Sequence, residues 1–345
     1  MAQESPQCGG REWRRRDVFK AGAAVSLFAA GLGRPAFADG VIQLKASLFV
    51  PPANGAAKVV TAWGKTLATK TGGRVNVEVF PSSQMGPPNR QYDLVRDGVA
   101  DLSWVLHGFT PGRFPLMDIA NLPEMFASSA KAMAAIRRVQ GPLVAEHSGV
   151  KVLGLVTSPQ LVIMTRDKAV RKVGDFKGLR VRPPSAVTAG AIQALGGASV
   201  AVPPAEMGQA LSKGVIDAIV TTAEAAASFR LFEAVKYVTD VNMGMATFAF
   251  VMNPAAYARM PDDVKAALDS VSGATFEQQM VDEFDRTDVA ARAAAKSAGV
   301  EFIAPDTAAA QEFSVTLKGH RQTVVAALVA KGVKSAQSIY QAMQG

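Results

Sequence analysis

A charged side chain ends a short apolar run near the middle of the chain. The segment Leu179–Arg182 has strand character and Pro183-Pro184 stops it, so we expect the head of Arg182 at the carboxyl end of a strand. A guanidinium matches a carboxylate with two parallel hydrogen bonds. Arg180 stands two residues earlier and would point to the same face of a regular strand. From spacing alone, however, a surface arginine in an exposed ion pair is the favoured interpretation.

The common catalytic motifs are missing from the sequence. Gly64-Lys65-Thr66 resembles the end of a phosphate-binding loop, but Val59 stands where its first glycine is required. There is no G-x-S-x-G or H-E-x-x-H segment. His107, His147 and His320 are far apart in the sequence and lack acids at ligand spacing, so we expect surface or core histidines and no metal or cofactor. A secreted enzyme whose catalytic groups converge from distant positions stays open as an alternative.

The first 38 residues predict a removable export leader. Arg11 and Arg14–Arg16 form a basic start, Ala21–Leu32 is an uncharged apolar run, and Ala36-Phe37-Ala38 is a small-x-small cleavage signal. The apolar run is shorter than the roughly 20 residues that span a bilayer, so we expect cleavage after about residue 38 rather than a retained anchor. The segment Arg15–Lys20 resembles a twin-arginine signal, and an Arg-rich Sec leader is the alternative. The predicted location is the periplasm, without membrane insertion once the leader is removed.

The charge balance favours an anionic ligand over nucleic acid. The 345 residues carry a formal charge of +8, and removal of residues 1–38, with six Lys or Arg and three acids, lowers it to +5. No cluster of Lys and Arg with interleaved aromatic residues follows the leader. The only cysteine, Cys8, lies in the leader, so we expect a mature chain without disulfides, thiolate metal ligands or a Cys nucleophile.

Strand and helix patterns alternate through the rest of the chain. They predict one β-α-β-α-β unit over residues 41–106 and a second from about residue 160 to 220, which implies parallel strands with helical crossovers. Residues 261–299 predict one or two long helices. We predict an α/β fold with domain I at 39–159 plus 247–286 and domain II at 160–246 plus 287–345. Ligands favour the cleft between such domains.

Six segments, in order, resemble the solute-binding proteins of TRAP transporters, the DctP type. The resemblance covers residues 42–300, nearly the whole mature chain. The matching segments are Phe80-Pro81-Ser82-Ser83-Gln84-Met85-Gly86, Arg96-Asp97-Gly98-Val99-Ala100-Asp101, Leu122-Pro123 with Phe126, Asp175-Phe176-Lys177-Gly178-Leu179-Arg180-Val181-Arg182, Lys213-Gly214-Val215-Ile216-Asp217, and Asn253–Tyr257 followed by Met260-Pro261.

The resemblance implies a two-domain periplasmic-binding-protein fold with a long helix crossing both domains. It also implies closure on a small organic carboxylate and delivery to the membrane permease of a TRAP transporter, which an ion gradient drives. Arg182 ends the K-G-L-x-x-R motif, so the resemblance implies that it pairs with the ligand carboxylate. Arg180 matches a variable lysine of the family and is expected to face solvent.

Other binding positions are carried over from the family or predicted as cavity walls. Thr221 stands where relatives with polar ligands have asparagine, and Pro204 where a pocket aromatic is frequent. Where relatives that bind sugar acids have polar groups, this chain has apolar side chains: Val105 and Leu106 for a carboxylate, and Phe109 and Val162 for arginines. Further candidates for the walls, each also a candidate core residue, are Phe49, Trp104 and Phe248.

These departures replace polar groups by apolar ones. An unpaired buried hydroxyl costs about 1–3 kcal/mol, so an apolar cavity disfavours a polyhydroxylated ligand. We therefore expect a monocarboxylate with an apolar or aromatic body. Besides the enzyme named above, the alternatives are a receptor of the same fold that serves a sensor kinase, and a binding protein of an ATP-driven importer, which the long helix disfavours.

Overall fold

The computed structural model describes residues 40–344. Residues 1–39, and with them the predicted leader, lie outside this range. The strands of the described part are β1 (Ile42–Leu48), β2 (Val75–Phe80), β3 (Leu102–Leu106), β4 (Lys151–Gln160), β5 (Val162–Thr165), β6 (Arg180–Arg182), β7 (Ala198–Ser199), β8 (Ala218–Thr221), β9 (Tyr237–Thr239), β10 (Met245–Met252) and β11 (Glu301–Ile303).

Helices connect these strands and cover both sheets. They are α1 (Gly55–Lys70), α2 (Gln91–Arg96), α3 (Met117–Ala120), α4 (Ser129–Arg138), α5 (Gln140–Ala145), α6 (Ala186–Ala194), α7 (Met207–Ser212), α8 (Ala223–Ser228), α9 (Pro254–Ala258), α10 (Asp262–Val271), α11 (Ala274–Ser297), α12 (Thr307–Ala330) and α13 (Ala336–Gln344). Short 3₁₀ turns lie at Pro88–Arg90, His107–Phe109, Val173–Phe176, Pro204–Glu206 and Leu231–Glu233.

The first sheet has the strand order β2-β1-β3-β10-β4 and forms the core of what we call the first lobe. β1 runs parallel to β2 and β3, and β10 runs antiparallel to β3 and β4. The carboxyl ends of β1 and β3 therefore lie at the edge where β10 begins, with Phe248 opposite Leu106. This edge faces the second lobe.

The second sheet has the order β11-β9-β5-β8-β6-β7 and forms the core of the second lobe. β6 and β8 are parallel, with Arg182 opposite Ile219, so both end at one edge. Side chains that cap the following helices fix where these strands stop. Ser185 accepts a hydrogen bond from Thr188 at the start of α6, and Thr222 accepts one from Ala225 at the start of α8.

Helix α11 crosses both lobes. Its 24 residues extend over about 36 Å at 1.5 Å per residue. In its first half, Phe276 and Phe284 pack around Trp104 of the first lobe. In its second half, Asp288 accepts a hydrogen bond from the backbone N–H of Glu224 in the second lobe, and Ala291 belongs to the core there.

The last helix, α13, contacts helices of the first lobe as well as α12. The predicted domain bounds assign residues 287–345 to domain II, and α13 packs on α4 and α3 of the first lobe. The guanidinium of Arg138 donates to the carbonyl oxygens of Ala342 and Met343, and Ile339 is buried. The apolar face of α13 thus packs on the first lobe. The predicted domain bounds stay a prediction.

Within residues 40–344 no helix combines the length and the apolar character needed to cross a bilayer.

Candidate functional site

A cavity lies where the facing edges of the two sheets meet. Its volume is about 70 Å³, which is room for a few waters or one small molecule. Eight of the nine binding residues predicted from the sequence line this cavity: Phe49, Trp104, Leu106, Phe109, Arg182, Pro204, Thr221 and Phe248. Their roles in binding stay predictions, but the fold brings them together.

Arg182 is the charged group of the cavity that has no counter-ion. Its side chain is 4% exposed, and its Nε donates to the carbonyl oxygen of Val202 at 3.2 Å. Within the described residues, its two terminal nitrogens have no hydrogen-bond partner and no carboxylate lies within ion-pair distance of them. Burial lowers the pKa of Arg182 to about 10, so the group is still charged at neutral pH. A buried, unpaired guanidinium strongly favours an anionic ligand.

The sequence left open whether Arg182 forms an exposed ion pair at the surface, and the position of Arg180 bears on this alternative. Arg180 lies at the exposed start of β6, where its guanidinium pairs with the carboxylate of Asp217 at 2.7 Å and also donates to the carbonyl oxygen of Gly214. The exposed ion pair thus belongs to Arg180. Arg182, at the other end of the same strand, enters the cavity.

Aromatic rings form the first-lobe side of the cavity. Phe49 and Phe109 meet edge to face at a centroid distance of 5.3 Å, and Trp104 stacks on Phe248 at 4.8 Å. The guanidinium carbon of Arg182 lies 5.8 Å from the centre of the Phe109 ring, within cation–π range. Phe284 of α11 packs against Trp104 and Phe248 and completes this wall. Such a wall suits a flat apolar body.

Two further polar groups of the second lobe face the cavity. Thr221 ends β8, and among residues 40–344 its hydroxyl has no hydrogen-bond partner. Glu224, three residues later in α8, was missed by sequence reasoning. Its Oε1 accepts hydrogen bonds from Asn54 Nδ2 at 2.8 Å and from the backbone N–H of Gly55 at 2.9 Å, so it joins α8 to the start of α1 across the lobes. Burial raises the pKa of Glu224 to about 7, and the nearby charge of Asp288 adds to the rise.

Val162 does not line the cavity, which corrects its predicted place. Its side chain is 1% exposed and packs in the core of the second lobe with Met207 and Ile219. Leu161, the residue before it, lines the cavity instead. Successive side chains alternate between the faces of an extended segment, so an offset of one residue moves Val162 into the core. Val105 is likewise buried in the first lobe, and its neighbour Leu106 takes the place on the wall.

The lobes touch across the mouth of the cavity. A side-chain Cβ at Gly108, in the turn that carries Phe109, would lie 2.5 Å from the carbonyl oxygen of Pro184 and 2.6 Å from Ser185 Cβ. Glycine is therefore needed for this approach, and the structure is a closed form. Phe109, the residue after Gly108, lies over Arg182.

Two histidines that are distant in sequence meet in the first lobe. The Nε2 atoms of His107 and His147 lie 2.9 Å apart, and both rings are buried against Phe114. They are core histidines, as expected, but they form a pair that the sequence did not indicate. Among residues 40–344 no group of three or more His, Cys, Asp or Glu side chains is arranged to hold a metal ion.

Comparison with known proteins agrees with this architecture. Residues 47–324 match the DctP family model, described as bacterial extracellular solute-binding protein, family 7. A curated relative, the outer membrane transporter protein TsaT of Comamonas testosteroni, is 28% identical over 254 residues, which are 71% of this chain and 73% of the relative.

Solved TRAP solute-binding proteins share the fold. A marine metagenome protein described as specific for aromatic acid ligands and solved with 3-hydroxybenzoate has a TM-score of 0.83 at 28% identity, covering 88% of this chain and 97% of that protein. A Rhodoferax ferrireducens protein solved with copurified benzoate has the same TM-score and coverage at 27% identity.

The matched range and the structural likeness confirm the predicted family and the predicted two-lobed α/β fold with its ligand cleft. The chain belongs to the DctP family of bacterial extracellular solute-binding proteins, family 7.

Proposed function

We propose that this protein captures a small aromatic monocarboxylate between its lobes, with the carboxylate paired to Arg182. The observation that carries the proposal is the buried guanidinium without a counter-ion in a cavity whose opposite wall is aromatic. Two solved relatives described with aromatic acids or benzoate support it. Sugar acids are disfavoured because several hydroxyls would be buried against apolar walls, each at about 1–3 kcal/mol if unpaired.

The ligand can be tested directly on the purified protein. Mass spectrometry of the denatured protein would identify a copurified acid, and calorimetry would rank benzoate, cyclohexanecarboxylate, succinate and glucuronate. We expect benzoate to bind most tightly of the four. Stabilisation and binding by glucuronate alone would overturn the proposal.

We further propose that the loaded, closed form delivers its ligand to the permease of a TRAP transporter. Membership of the family supports this role. The test is uptake of radiolabelled ligand into vesicles that contain the membrane subunits of a TRAP transporter from the same organism. We expect uptake only when the receptor is added. A response of a sensor kinase to the loaded receptor, without any uptake, would favour the alternative receptor role.

We propose that the protein binds its ligand without converting it, since relatives of the family are receptors. Prolonged incubation with benzoate, followed by chromatography, should return the ligand unchanged. Conversion of benzoate at a rate that scales with protein concentration would instead favour the alternative hypothesis of a secreted enzyme.

We propose export to the periplasm under the twin-arginine-like leader, with cleavage after about Ala38. The basic start, short apolar run and small-x-small signal support this location. N-terminal sequencing of the periplasmic protein should begin at about Asp39. Replacement of Arg15 and Arg16 by Lys should block export by the twin-arginine route. Undiminished export of that variant would favour the Sec route.

A further inference from the structure

One carboxyl oxygen of Glu224 is among the cavity's polar atoms that still lack a partner once Arg182 has a ligand carboxylate. Glu224 is 6% exposed and lines the same cavity as Arg182. Its Oε1 is satisfied by Asn54 and by the backbone N–H of Gly55. Its Oε2 has neither a hydrogen bond nor an ion pair with any residue in the range 40–344. A carboxyl oxygen that faces a cavity needs a hydrogen-bond partner, which is either water or a polar group of the ligand.

Two neighbouring polar side chains, Asn54 and Ser158, have no donor left for this oxygen. Asn54 Nδ2 donates to Glu224 Oε1 and to Ser228 Oγ, and its Oδ1 accepts from the backbone N–H of Ala56. The hydroxyl of Ser158 donates to the carbonyl oxygen of Pro159 and accepts from the N–H of Ala246. The donors of both side chains are therefore already used, so neither side chain donates a hydrogen bond to Oε2.

We propose that Oε2 of Glu224 hydrogen-bonds a hydroxyl group on the ligand, so that the preferred ligands are hydroxylated aromatic monocarboxylates. This inference rests on the proposed function, because it assumes the carboxylate at Arg182. The ligand would then be fixed at two points of the second lobe, with its ring against the aromatic wall of the first. Unsubstituted acids would leave Oε2 unpaired.

A hydroxyl fits Glu224 better than an ammonium group or a second carboxylate. Burial raises the pKa of Glu224 to about 7, so its carboxyl group is partly protonated near neutral pH. A hydroxyl can donate to the carboxylate and accept from the neutral acid, whereas an ammonium group only donates. A second carboxylate would face Glu224 and Asp288, whose negative charges repel it.

The test compares matched ligands on the full-length mature protein by calorimetry. The ligands are benzoate, its 2-, 3- and 4-hydroxy derivatives, the corresponding methoxy derivatives and 3-aminobenzoate, with phenylalanine as the ammonium-bearing acid. We expect at least one hydroxybenzoate to bind about tenfold more tightly than both benzoate and its own methyl ether, the scale of one hydrogen bond to a charged group. This comparison needs only the wild-type protein, so it holds even if variants bind poorly.

Two variants then locate the effect. Glu224→Gln keeps an oxygen for Asn54 and Gly55 but turns the ligand-facing acceptor into an amide donor, so the preference for hydroxyl over methoxy should fall to about threefold or less. Glu146→Gln is the matched control, because Glu146 is a partly buried carboxyl whose pKa burial also raises to about 7, and it lies outside the cavity. The preference of Glu146→Gln for hydroxybenzoates over their methyl ethers should equal that of the wild type.

Several outcomes would overturn the inference. They are hydroxybenzoates that bind no more tightly than benzoate at every ring position, an unchanged preference in Glu224→Gln, and tighter binding of phenylalanine or 3-aminobenzoate than of any hydroxybenzoate. In each of these cases benzoate binding still supports the proposed function. A wild-type protein that binds none of these aromatic acids overturns the proposed function and the inference together.

Discussion

The two walls of the cavity differ in chemistry. The first-lobe wall consists of rings, with Phe49 against Phe109 and Trp104 against Phe248. The second-lobe wall carries polar atoms that have no hydrogen-bond partner among residues 40–344, namely the two terminal nitrogens of Arg182, the hydroxyl of Thr221 and one oxygen of Glu224. The difference teaches that the lobes have separate tasks in the proposed function. The second lobe recognises the charge and polar substituents, and the first lobe closes an apolar lid over the ring.

The largest expected effect comes from removing the charge on the second-lobe wall. Arg182→Ala should weaken benzoate binding by about 2–5 kcal/mol, the range for truncating one partner of a buried charge pair. The fold should persist because the free protein loses a buried cation without a counter-ion. Calorimetry of binding, with circular dichroism to check folding, measures both.

Arg180→Ala is the matched control for that variant. It removes the same side chain from the same strand, but from an exposed ion pair with Asp217, which contributes at most about 1 kcal/mol to stability. Binding should be nearly unchanged. Equal losses of affinity in the two variants would remove Arg182 from the site.

The second effect tests whether the two walls must meet. In Gly108→Ala, the added Cβ would lie 2.5 Å from the carbonyl oxygen of Pro184 across the cleft. Closure should then cost about 1–3 kcal/mol, as overpacking does elsewhere, and affinity should fall by about tenfold or more. Because the clash exists only when the lobes touch, the unfolding temperature of the ligand-free protein should stay close to wild type.

Small-angle scattering gives the structural readout for Gly108→Ala. Ligand-induced compaction should be smaller than in the wild type. Gly141→Ala is the control, since a Cβ there meets nothing within 4 Å. Full compaction and unchanged affinity in Gly108→Ala would show that binding does not require this close approach.

The division into two walls was partly readable from the sequence. Alternating strand and helix patterns place the ends of β1, β3, β6 and β8 at facing edges, because parallel strands end on the same side of a sheet. Residues at or just after those ends, such as Phe49, Leu106, Arg182 and Thr221, therefore reach the cavity. The family motif adds to this reading for Arg182, whose spacing alone favoured the exposed ion pair that Arg180 makes.

The features of the site that the sequence did not predict depend on contacts between distant segments or on which face of a strand a residue occupies. Asn54 and Glu224 are 170 positions apart, and no local pattern links an N-cap of one lobe to a helix of the other. His107 and His147 meet through tertiary packing for the same reason. Val162 was misplaced because a one-residue error in phase exchanges the two faces of a strand.

A smaller effect probes the aromatic wall alone. Phe109→Leu keeps apolar bulk but removes the ring that meets Phe49 edge to face and lies over Arg182. An aromatic contact contributes about 0.5–1.5 kcal/mol beyond burial. Affinity for benzoate should therefore fall by about threefold to tenfold, and affinity for the saturated analogue cyclohexanecarboxylate should fall less. Parallel losses for both acids would mean that the wall contributes bulk rather than ring-specific contacts.

The smallest effect on binding, and a distinct effect on stability, is expected at a carboxyl outside both walls. Burial raises the pKa of Glu146 from 4.5 to about 7. Hydrogen bonds from the backbone N–H groups of Leu116 and Met117 act in the opposite direction and lower this pKa, but the effect of burial is larger. The folded state therefore binds the proton of Glu146 more tightly than the unfolded chain does. The stabilisation that this proton provides is complete below pH 4.5 and is lost as the pH rises to about 7. Relative to Glu146→Gln, the free energy of unfolding of the wild type should fall by about 1–3 kcal/mol across that window.

The comparison with the variant is necessary because other groups act in the opposite direction. Burial lowers the pKa of His107 and of His147 below 6.5, so their contribution is lost as the pH falls. Denaturant unfolding of wild type and Glu146→Gln at pH 5, 6, 7 and 8 isolates the Glu146 contribution, since the histidines are common to both. A constant difference across the series would contradict the raised pKa. An affinity for benzoate that changed in Glu146→Gln would instead contradict the separation of this carboxyl from the cavity, on which its use as a control for Glu224 depends.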